Sequence, residues 1–318
     1  MVIPFALPPC EPGGPDPAGV VASIGEWVTS PELAELVVHF GGEVPDGPIG
    51  SVLARLAEFS RVWDFRGGVK ERFDTERVDY EGDVDARLRL LISVLGLGGS
   101  DRPVRESYDH IIVLGGGIRV TLGRTDYTAR LLAKGLRART LAGLASLRWR
   151  HDREHRESVR LGLGPIETEA DMMSVGLCRA MDLARPTSER GGDGWWHRVW
   201  ADPRPGVAEV HVLAAPSTRP PQRANTADTL IGWAEYVSAP TAADRVLLVT
   251  NDPYVRYQHC DAIRLLGMRY GCGIETVGFD DLATREWGRP LSTTELLQEV
   301  RSSLLAARNL HDALVPPR

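Results

Sequence analysis

The C-terminal two thirds of this 318-residue sequence alternate short apolar runs with helical segments, and this alternation constrains the fold more than any other feature. The runs HIIVLGG at 110–116 and DRVLLVTND at 244–252 are apolar almost throughout, as expected for strands covered on both faces. Strands that alternate with helices favour right-handed βαβ crossovers. We therefore predict an α/β fold with a doubly wound parallel sheet. Three further strands are predicted at residues 138–145, 208–216 and 273–279.

The remainder of the chain is expected to be mainly helical. Residues 1–18 are rich in proline and glycine and predict an irregular arm. Residues from 19 to about 104 repeat apolar side chains at three- and four-residue spacing, with Asp83 as a candidate cap for the last helix. A long helix with Ser292 or Thr293 near its cap closes the chain. The predicted organisation is an arm and helical accessory region at 1–104, an α/β core at 105–290 and a C-terminal helix at 291–318 that packs on the helical region.

Composition and charge exclude several functional classes. The net charge of −6 gives no global electrostatic reason to bind nucleic acid or an anionic membrane. No run of 18 apolar residues appears, and the proline-broken start lacks the basic segment of a signal peptide. We therefore expect a soluble, cytoplasmic protein with neither a membrane nor a nucleic-acid partner. The cysteines lack paired spacing and are typical of reduced thiols, at positions Cys10, Cys178, Cys260 and Cys272.

Glycine-rich stretches are expected after the first two strands of the core. Gly115, Gly116 and Gly117 follow the first strand, and Gly143 is predicted to follow the second. Glycine lets the backbone approach a ligand, and its N–H group can face an anion. A glycine triplet is also typical of a simple tight turn, so this stretch alone does not distinguish the two.

Two polar stretches are expected at the same edge of the sheet. Asn225 and Thr226 open a helix in RANTADT, and Asp252 and Tyr254 follow the fourth strand in TNDPY. Each stretch alone also fits a helix cap. Open parallel sheets bind ligands outside the carboxyl ends of their strands, so the convergence of all four stretches favours a ligand site.

Several familiar sites are absent from the sequence. The dinucleotide fingerprint needs a further glycine where Val120 stands, and no acid closes the second strand to hold a ribose. No phosphate-binding P-loop, no GxSxG elbow and no HExxH motif occurs. His151 and His155 lie four residues apart, but in a basic segment that is expected to be exposed. We therefore predict neither a nicotinamide enzyme nor a metal site.

Taken in order, the segments YDHIIVLGGG, TEADMM, RANTADTL and LLVTNDPYVRYQHCDAIRLLGM carry a resemblance. Together they resemble the SanA/ElyC/YdcF family of bacterial Rossmann-like proteins, and the Asp252-Pro253 pair is most similar to its YdcF-like members. The resemblance spans roughly residues 19 to 310 at low similarity. It departs from the family pattern at Tyr254 or a neighbour, where many relatives carry a histidine.

The resemblance implies a Rossmann-like core, a helical accessory region and S-adenosylmethionine as ligand. Mapped position by position, it implies that the cofactor lies against Gly115, Gly116, Gly117, Gly143, Glu169, Asn225, Thr226 and Asp252. Of these, Glu169 or Asp252 would pair with the ammonium group or the ribose hydroxyls.

The function expected from these features is a transferase that uses S-adenosylmethionine on a small-molecule acceptor. Asp252 and Tyr254 are the candidate catalytic residues, with Tyr127 or His259 as further contacts to the acceptor. A methyl group or the 3-amino-3-carboxypropyl arm is the transferred group. The alternatives are a non-catalytic nucleotide- or S-adenosylmethionine-binding regulator and an envelope-linked hydrolase, and a homodimer is among the expectations.

The segment from 185 to 206 contains a cluster of tryptophans and is predicted to be a loop. Trp195, Trp196 and Trp200 are expected either to form an aromatic wall for the acceptor or to pack this loop onto the core.

Overall fold

The computed structural model describes residues 5–65, 67, 78–98, 100–201, 206–279, 287 and 290–316. Its centre is a seven-stranded sheet. In chain order the strands are β1 (Ser107–Leu114), β2 (Arg137–Ser146), β3 (Ser188–Gly192), β4 (Trp195–Trp200), β5 (Val207–Ala215), β6 (Arg245–Asn251) and β7 (Gly273–Phe279). In space their order is β3-β4-β5-β2-β1-β6-β7.

Five of these strands are parallel and confirm the predicted doubly wound α/β fold. The register pairs β1 with β2 and β6, β2 with β5, and β6 with β7, all in parallel. The chain moves outward from β1 to β2 and β5, and then returns to the other side of β1 with β6. The strand order therefore reverses between β1 and β6, and this is where a Rossmann-like sheet opens a crevice.

The prediction of a loop over residues 185–206 is wrong for residues 188–200, and residues 202–205 lie outside the described part of the chain. Strands β3 and β4 form an antiparallel hairpin, and β4 also pairs antiparallel with β5. The sequence SERGG of β3 is exposed at every position, so it lacks the apolar alternation that usually marks a strand. The tryptophans pack this hairpin onto the molecule: Trp195 lies 4.5 Å from the Tyr236 ring, and buried Trp200 donates to the Ala184 carbonyl.

Helices cover both faces of the sheet. The described helices are α1 (Pro17–Val28), α2 (Pro31–His39), α3 (Ile49–Phe59), α4 (Gly82–Val94), α5 (Ile118–Ala133), α6 (Asp152–Arg160), α7 (Glu169–Met181), α8 (Thr226–Tyr236), α9 (Val255–Ala262), α10 (Met268–Tyr270) and α11 (Thr293–Leu314). Within β1, Ile111 and Val113 face a core shared with α5 and α7, whereas Ile112 and Leu114 face a core shared with α8, α11 and the N-terminal helices. The strands are thus buried on both sides, which explains their almost unbroken apolar runs.

The ends of the helices follow local sequence signals. Ser30 caps α2, and Ser292 forms a capping box with Glu295 at α11, as the sequence predicts for that helix. Asp83, in contrast, does not cap α4. It lies inside the first turn, because the helix begins at Gly82 and Glu81 occupies the cap position.

The N-terminal arm is irregular, as predicted, but it packs on the α/β core as well as leading into the helices. The carbonyl of Cys10 accepts a hydrogen bond from Ile274 N of β7 at 2.8 Å, and Gly13 N donates to the carbonyl of Ala242 at 2.9 Å. Helix α11 packs against α3, α4 and α1 on one side and α9 on another. Arm and C-terminal helix therefore tie the helical region to the sheet.

Candidate functional site

The loops after β1 and β6 meet where the strand order reverses. We call this place the switch-point crevice and define it by residues 115–117, Ser146, Glu169 and residues 251–254. The fold brings the glycine triplet, Glu169, Asp252 and Tyr254 to this edge, as the sequence predicts. These groups come from three segments that are distant in the sequence, namely the loop after β1, the start of α7 and the loop after β6, so the crevice exists only in the folded chain.

Close packing is what requires glycine in the loop after β1. A Cβ atom on Gly115 would lie 2.6 Å from both Glu169 Oε1 and the Leu144 carbonyl oxygen. None of Gly115, Gly116 and Gly117 has a positive φ. The triplet therefore serves close approach rather than a left-handed turn, and it lets the loop lie directly on a carboxylate.

Glu169 supplies an acid at the end of β2 that the strand itself lacks. Ser146, the last residue of β2, donates its hydroxyl hydrogen to Glu169 Oε2 at 2.6 Å, and Arg148 Nε lies 3.8 Å from the same oxygen. Glu169 is 7% exposed, and burial raises the pKa of its carboxyl despite the Ser146 hydrogen bond. Its backbone N–H donates to the Arg148 carbonyl, which fixes the start of α7 against the end of β2.

A buried arginine links the two loops. Arg124 of α5 is 2% exposed, and its Nη1 donates to the carbonyl oxygens of Leu114 at 2.7 Å and Gly115 at 2.5 Å. Its Nε donates to Asn251 Oδ1 of β6 at 2.8 Å. Sequence reasoning missed this residue, because a single arginine in a helix carries no sign of burial. In the structure Thr121 and Thr128, at helical spacing on either side, are buried, so Arg124 lies on the inward stripe of α5.

Asp252 and Tyr254 form the opposite wall. A Cβ on Gly98 would lie 2.5 Å from Asp252 Cγ, so this carboxylate packs on the backbone that follows the helical region. Tyr254 is 4% exposed, and its ring centroid lies 5.7 Å from the Arg124 guanidinium carbon. The two candidate catalytic residues thus share the crevice, but the tyrosine is enclosed.

Asn225 and Thr226 lie further along the same edge. Asn225 caps α8, because its Oδ1 accepts from Asp228 N at 3.1 Å while Asp228 Oδ2 accepts from Asn225 N at 2.9 Å. Thr226 is the first residue of α8, which follows β5. Strand β2 separates β5 from β1, so this pair is not part of the switch-point crevice.

Three expected contacts lie elsewhere. Gly143 is inside β2, which continues to Ser146, and a Cβ there would meet Met173 Cγ at 2.5 Å, so this glycine belongs to the core under α7. Tyr127 donates its hydroxyl hydrogen to the Asp101 carbonyl. His259 is buried beneath the N-terminal arm, where its Nε2 contacts the Pro8 carbonyl at 2.8 Å.

The start of α5 has no side-chain cap among the described residues, a property that it shares with α9, the helix after β6. Helices α6, α7 and α8, in contrast, each begin with a capping box. Gly117 occupies the cap position of α5, and within the described residues no side chain caps this helix. The first N–H groups of a helix attract anions when no side chain satisfies them. Helix α5 therefore opens toward the crevice with donors suited to an anionic group.

Comparison with known proteins identifies the family. The chain is 32% identical over 333 aligned residues to the protein Rv3785 of Mycobacterium tuberculosis strain H37Rv, an alignment that covers 94% of this chain and 91% of that protein. This chain belongs to the Rv3785 family. Mb3814 of Mycobacterium bovis matches to the same extent. Residues 11–96 also match the family model described as the Rv3785 N-terminal domain, which ends before β1 begins.

These Rv3785-family relatives are named as uncharacterized proteins, and their names state no activity. No solved structure matches the chain. The resemblance to the SanA/ElyC/YdcF family accordingly stays a prediction.

A groove of about 550 Å³ lies away from the crevice, between α7 and the β3–β4 hairpin. Two of its three arginines are already engaged: Arg198 contacts Glu189 at 2.9 Å, and Arg179 lies 3.8 Å from Asp126. We assign no ligand to it.

Metal and membrane features are absent from the described part of the chain. No group of three or more His, Cys, Asp or Glu side chains there could hold a metal ion. His151 instead caps α6 with its ring nitrogen. Over the same residues, no helix is both long and apolar enough to cross a bilayer.

Proposed function

We propose that the switch-point crevice binds S-adenosylmethionine and that the protein transfers a group from it to a small-molecule acceptor. The observation that carries this proposal is the position of Glu169, beside the last residue of β2 and against Gly115. Nucleotide-binding doubly wound folds hold a ribose with an acid near the second strand, next to a glycine-rich loop. The resemblance to the SanA/ElyC/YdcF family supports the same ligand.

The donors and acceptors of the crevice suit the parts of this cofactor. The open start of α5 suits a carboxylate, and the carboxylates of Glu169 and Asp252 suit ribose hydroxyls and an ammonium group. When bound, S-adenosylmethionine supplies an electrophilic carbon on a sulfonium. The contribution of the chain is to hold both reactants in line and to orient the acceptor through Asp252 and Tyr254. Methyl and 3-amino-3-carboxypropyl transfer are both compatible with these contacts.

Titration calorimetry with S-adenosylmethionine, S-adenosylhomocysteine and NAD tests the cofactor. We expect both adenosyl compounds to bind, and Glu169→Gln to weaken them about 10-fold through loss of charged hydrogen bonds. The control Glu167→Gln changes an exposed carboxylate in the same loop and should leave affinity unchanged. The proposal is false if neither S-adenosylmethionine nor S-adenosylhomocysteine binds.

The by-product identifies the transferred group. In mass spectrometry after incubation with candidate acceptors, S-adenosylhomocysteine indicates methyl transfer, and methylthioadenosine indicates transfer of the aminocarboxypropyl arm. Light scattering of the same samples tests the expected homodimer.

A second candidate is a regulator that binds the ligand without turnover. The enclosure of Tyr254, 4% exposed, and Glu169, 7% exposed, favours it, since such groups have little access to an acceptor. Binding without either by-product would support this candidate. Release of phosphate from phosphate esters would instead favour the hydrolase alternative.

A further inference from the structure

We infer that Arg124 is a positioning residue that turns the N–H groups of the glycine loop toward the crevice, so that the crevice selects ligands carrying an anionic group. This inference rests on the proposed function, because it names the part of the ligand that the loop recognises.

The contacts of Arg124 are unusual for consecutive peptides. In an extended strand, successive carbonyls point to opposite sides. Here the carbonyls of Leu114 and Gly115 both reach the same Nη1 atom, at 2.7 and 2.5 Å. The backbone must therefore turn at Gly115, at the point where a side chain would collide with Glu169.

Peptide planarity determines the direction in which the N–H groups of the glycine loop point. In a trans peptide, the carbonyl of one residue and the N–H of the next point in opposite directions. Since both carbonyls point at Arg124, the N–H groups of Gly115 and Gly116 point away from it. Two successive N–H groups on one side, followed by the open start of α5, place several donors where an anionic group can accept hydrogen bonds from them.

The guanidinium also strengthens these donors. It remains charged in a protein, and its burial at 2% exposure reduces screening by water. A carbonyl that accepts a hydrogen bond from a cation polarises its peptide, so the N–H on the far side becomes a better donor. Asn251 holds the guanidinium from β6 at 2.8 Å, which keeps its plane fixed while both carbonyls bind.

Two ligands separate this role from a general structural one. S-adenosylhomocysteine carries a carboxylate, whereas methylthioadenosine keeps the adenosine and lacks the amino-acid part. In Arg124→Lys the charge remains. The single nitrogen of lysine, however, cannot occupy both the position of Nη1, which binds the two carbonyls, and the position of Nε, which binds Asn251. We expect affinity for S-adenosylhomocysteine to fall about 10-fold, and affinity for methylthioadenosine to change less than about 3-fold. The exposed Arg130 of the same helix provides the control Arg130→Lys, with no change for either ligand.

A measurement that uses no adenosyl ligand tests the role of Arg124 independently of the proposed function. With glycine-selective ¹⁵N labelling, inorganic phosphate should shift the Gly116 amide of the wild-type protein, and this response should be lost in Arg124→Lys. If the wild type binds neither adenosyl compound but the phosphate response behaves as stated, the proposed cofactor is wrong and the role of Arg124 stands.

A second variant tests the inference in case Arg124→Lys does not fold. Asn251→Asp keeps an oxygen acceptor for Arg124 Nε but places a negative charge beside the guanidinium. It should also weaken S-adenosylhomocysteine and phosphate while sparing methylthioadenosine. Equal loss of both adenosyl ligands, or an unchanged Gly116 response in a folded variant, would overturn the inference.

Discussion

Two buried arginines, one at the crevice and one under the N-terminal arm, solve the same problem in different ways. Arg124 donates to two interior carbonyls and to Asn251. Arg256 of α9 donates through Nη2 to the carbonyls of Phe5 at 2.8 Å and Ala6 at 3.2 Å, and its guanidinium carbon lies 4.8 Å from the Trp27 ring centroid. Its Nε has no hydrogen-bond partner among the residues that the structure describes.

The difference shows which region is held more firmly. Burial lowers the pKa of Arg256 to about 10, because its charge is removed from water. Its acceptors are also closer to solvent, since Phe5 is half-buried and Ala6 is exposed. The crevice loop is therefore the fixed region and the arm the one more easily released.

Removal of each guanidinium should give the largest difference between the two regions in the free energy of unfolding. Arg124→Met leaves the interior carbonyls of Leu114 and Gly115 without their donor, and we expect a loss of about 4 kcal/mol in the free energy of unfolding. Arg256→Met removes a costly buried charge, and water can reach the freed carbonyls, so the loss should be about 1 kcal/mol. Urea denaturation measures both. Equal losses would contradict the contrast between loop and arm.

The arm should also respond to pH. Burial lowers the pKa of His259 to about 4, below the 6.5 of an unrestrained imidazole. The unfolded chain then binds the proton more readily, so stability is complete above about pH 6.5 and falls toward pH 4, by about 3 kcal/mol. His197 and His211, whose pKa values burial also lowers to about 4, add to the dependence of the wild type.

The contribution of His259 is therefore measured as a difference. Denaturation between pH 7 and 4 should show a shallower pH dependence in His259→Gln than in the wild type, whereas the exposed control His155→Gln should match the wild type. The protection factor of the Ile274 amide, which is bonded to the Cys10 carbonyl, should fall as the pH falls, once the intrinsic slowing of amide exchange at lower pH is taken into account. An unchanged Ile274 protection factor down to pH 4 would mean that the arm stays docked.

A single methyl group added at Gly115 should test how tightly the crevice loop is packed. In Gly115→Ala the new Cβ meets the backbone oxygen of Leu144 at 2.6 Å, which cannot move cheaply, so we expect a loss of about 2 kcal/mol. Nothing lies within 4 Å of a Cβ at Gly164, and Gly164→Ala is the matched control. Thermal denaturation of the two variants should differ; similar midpoints would show that the loop has room to relax.

Much of the sheet could be predicted because its strands are buried on both faces. The predicted strand 244–252 is observed as Arg245–Asn251, and 273–279 as Gly273–Phe279. The β3 strand escaped prediction because none of its side chains is buried. Gly143 was wrongly placed after its strand, although the predicted strand 138–145 already contained it and is observed as Arg137–Ser146.

The crevice was predictable in position but not in chemistry. Topology alone brings Gly115 and Asp252 to one edge. The approach of Glu169 to the end of β2 depends on the path of the chain between β2 and α7, which no local pattern records. Arg124 reads as an ordinary helical arginine until its neighbours on the inward stripe are known to be buried.

The docking of the arm sets an order of events during synthesis. His259 and the Pro8 carbonyl are separated by 251 positions, and Cys10 pairs with Ile274 of β7. At ribosomal speeds of about 5 to 20 residues per second, the arm waits about 12 to 50 s for these partners to emerge. Until then the arm has no strand edge to dock against. The arm is thus made well before the elements that hold it, and long-range contacts of this kind slow folding.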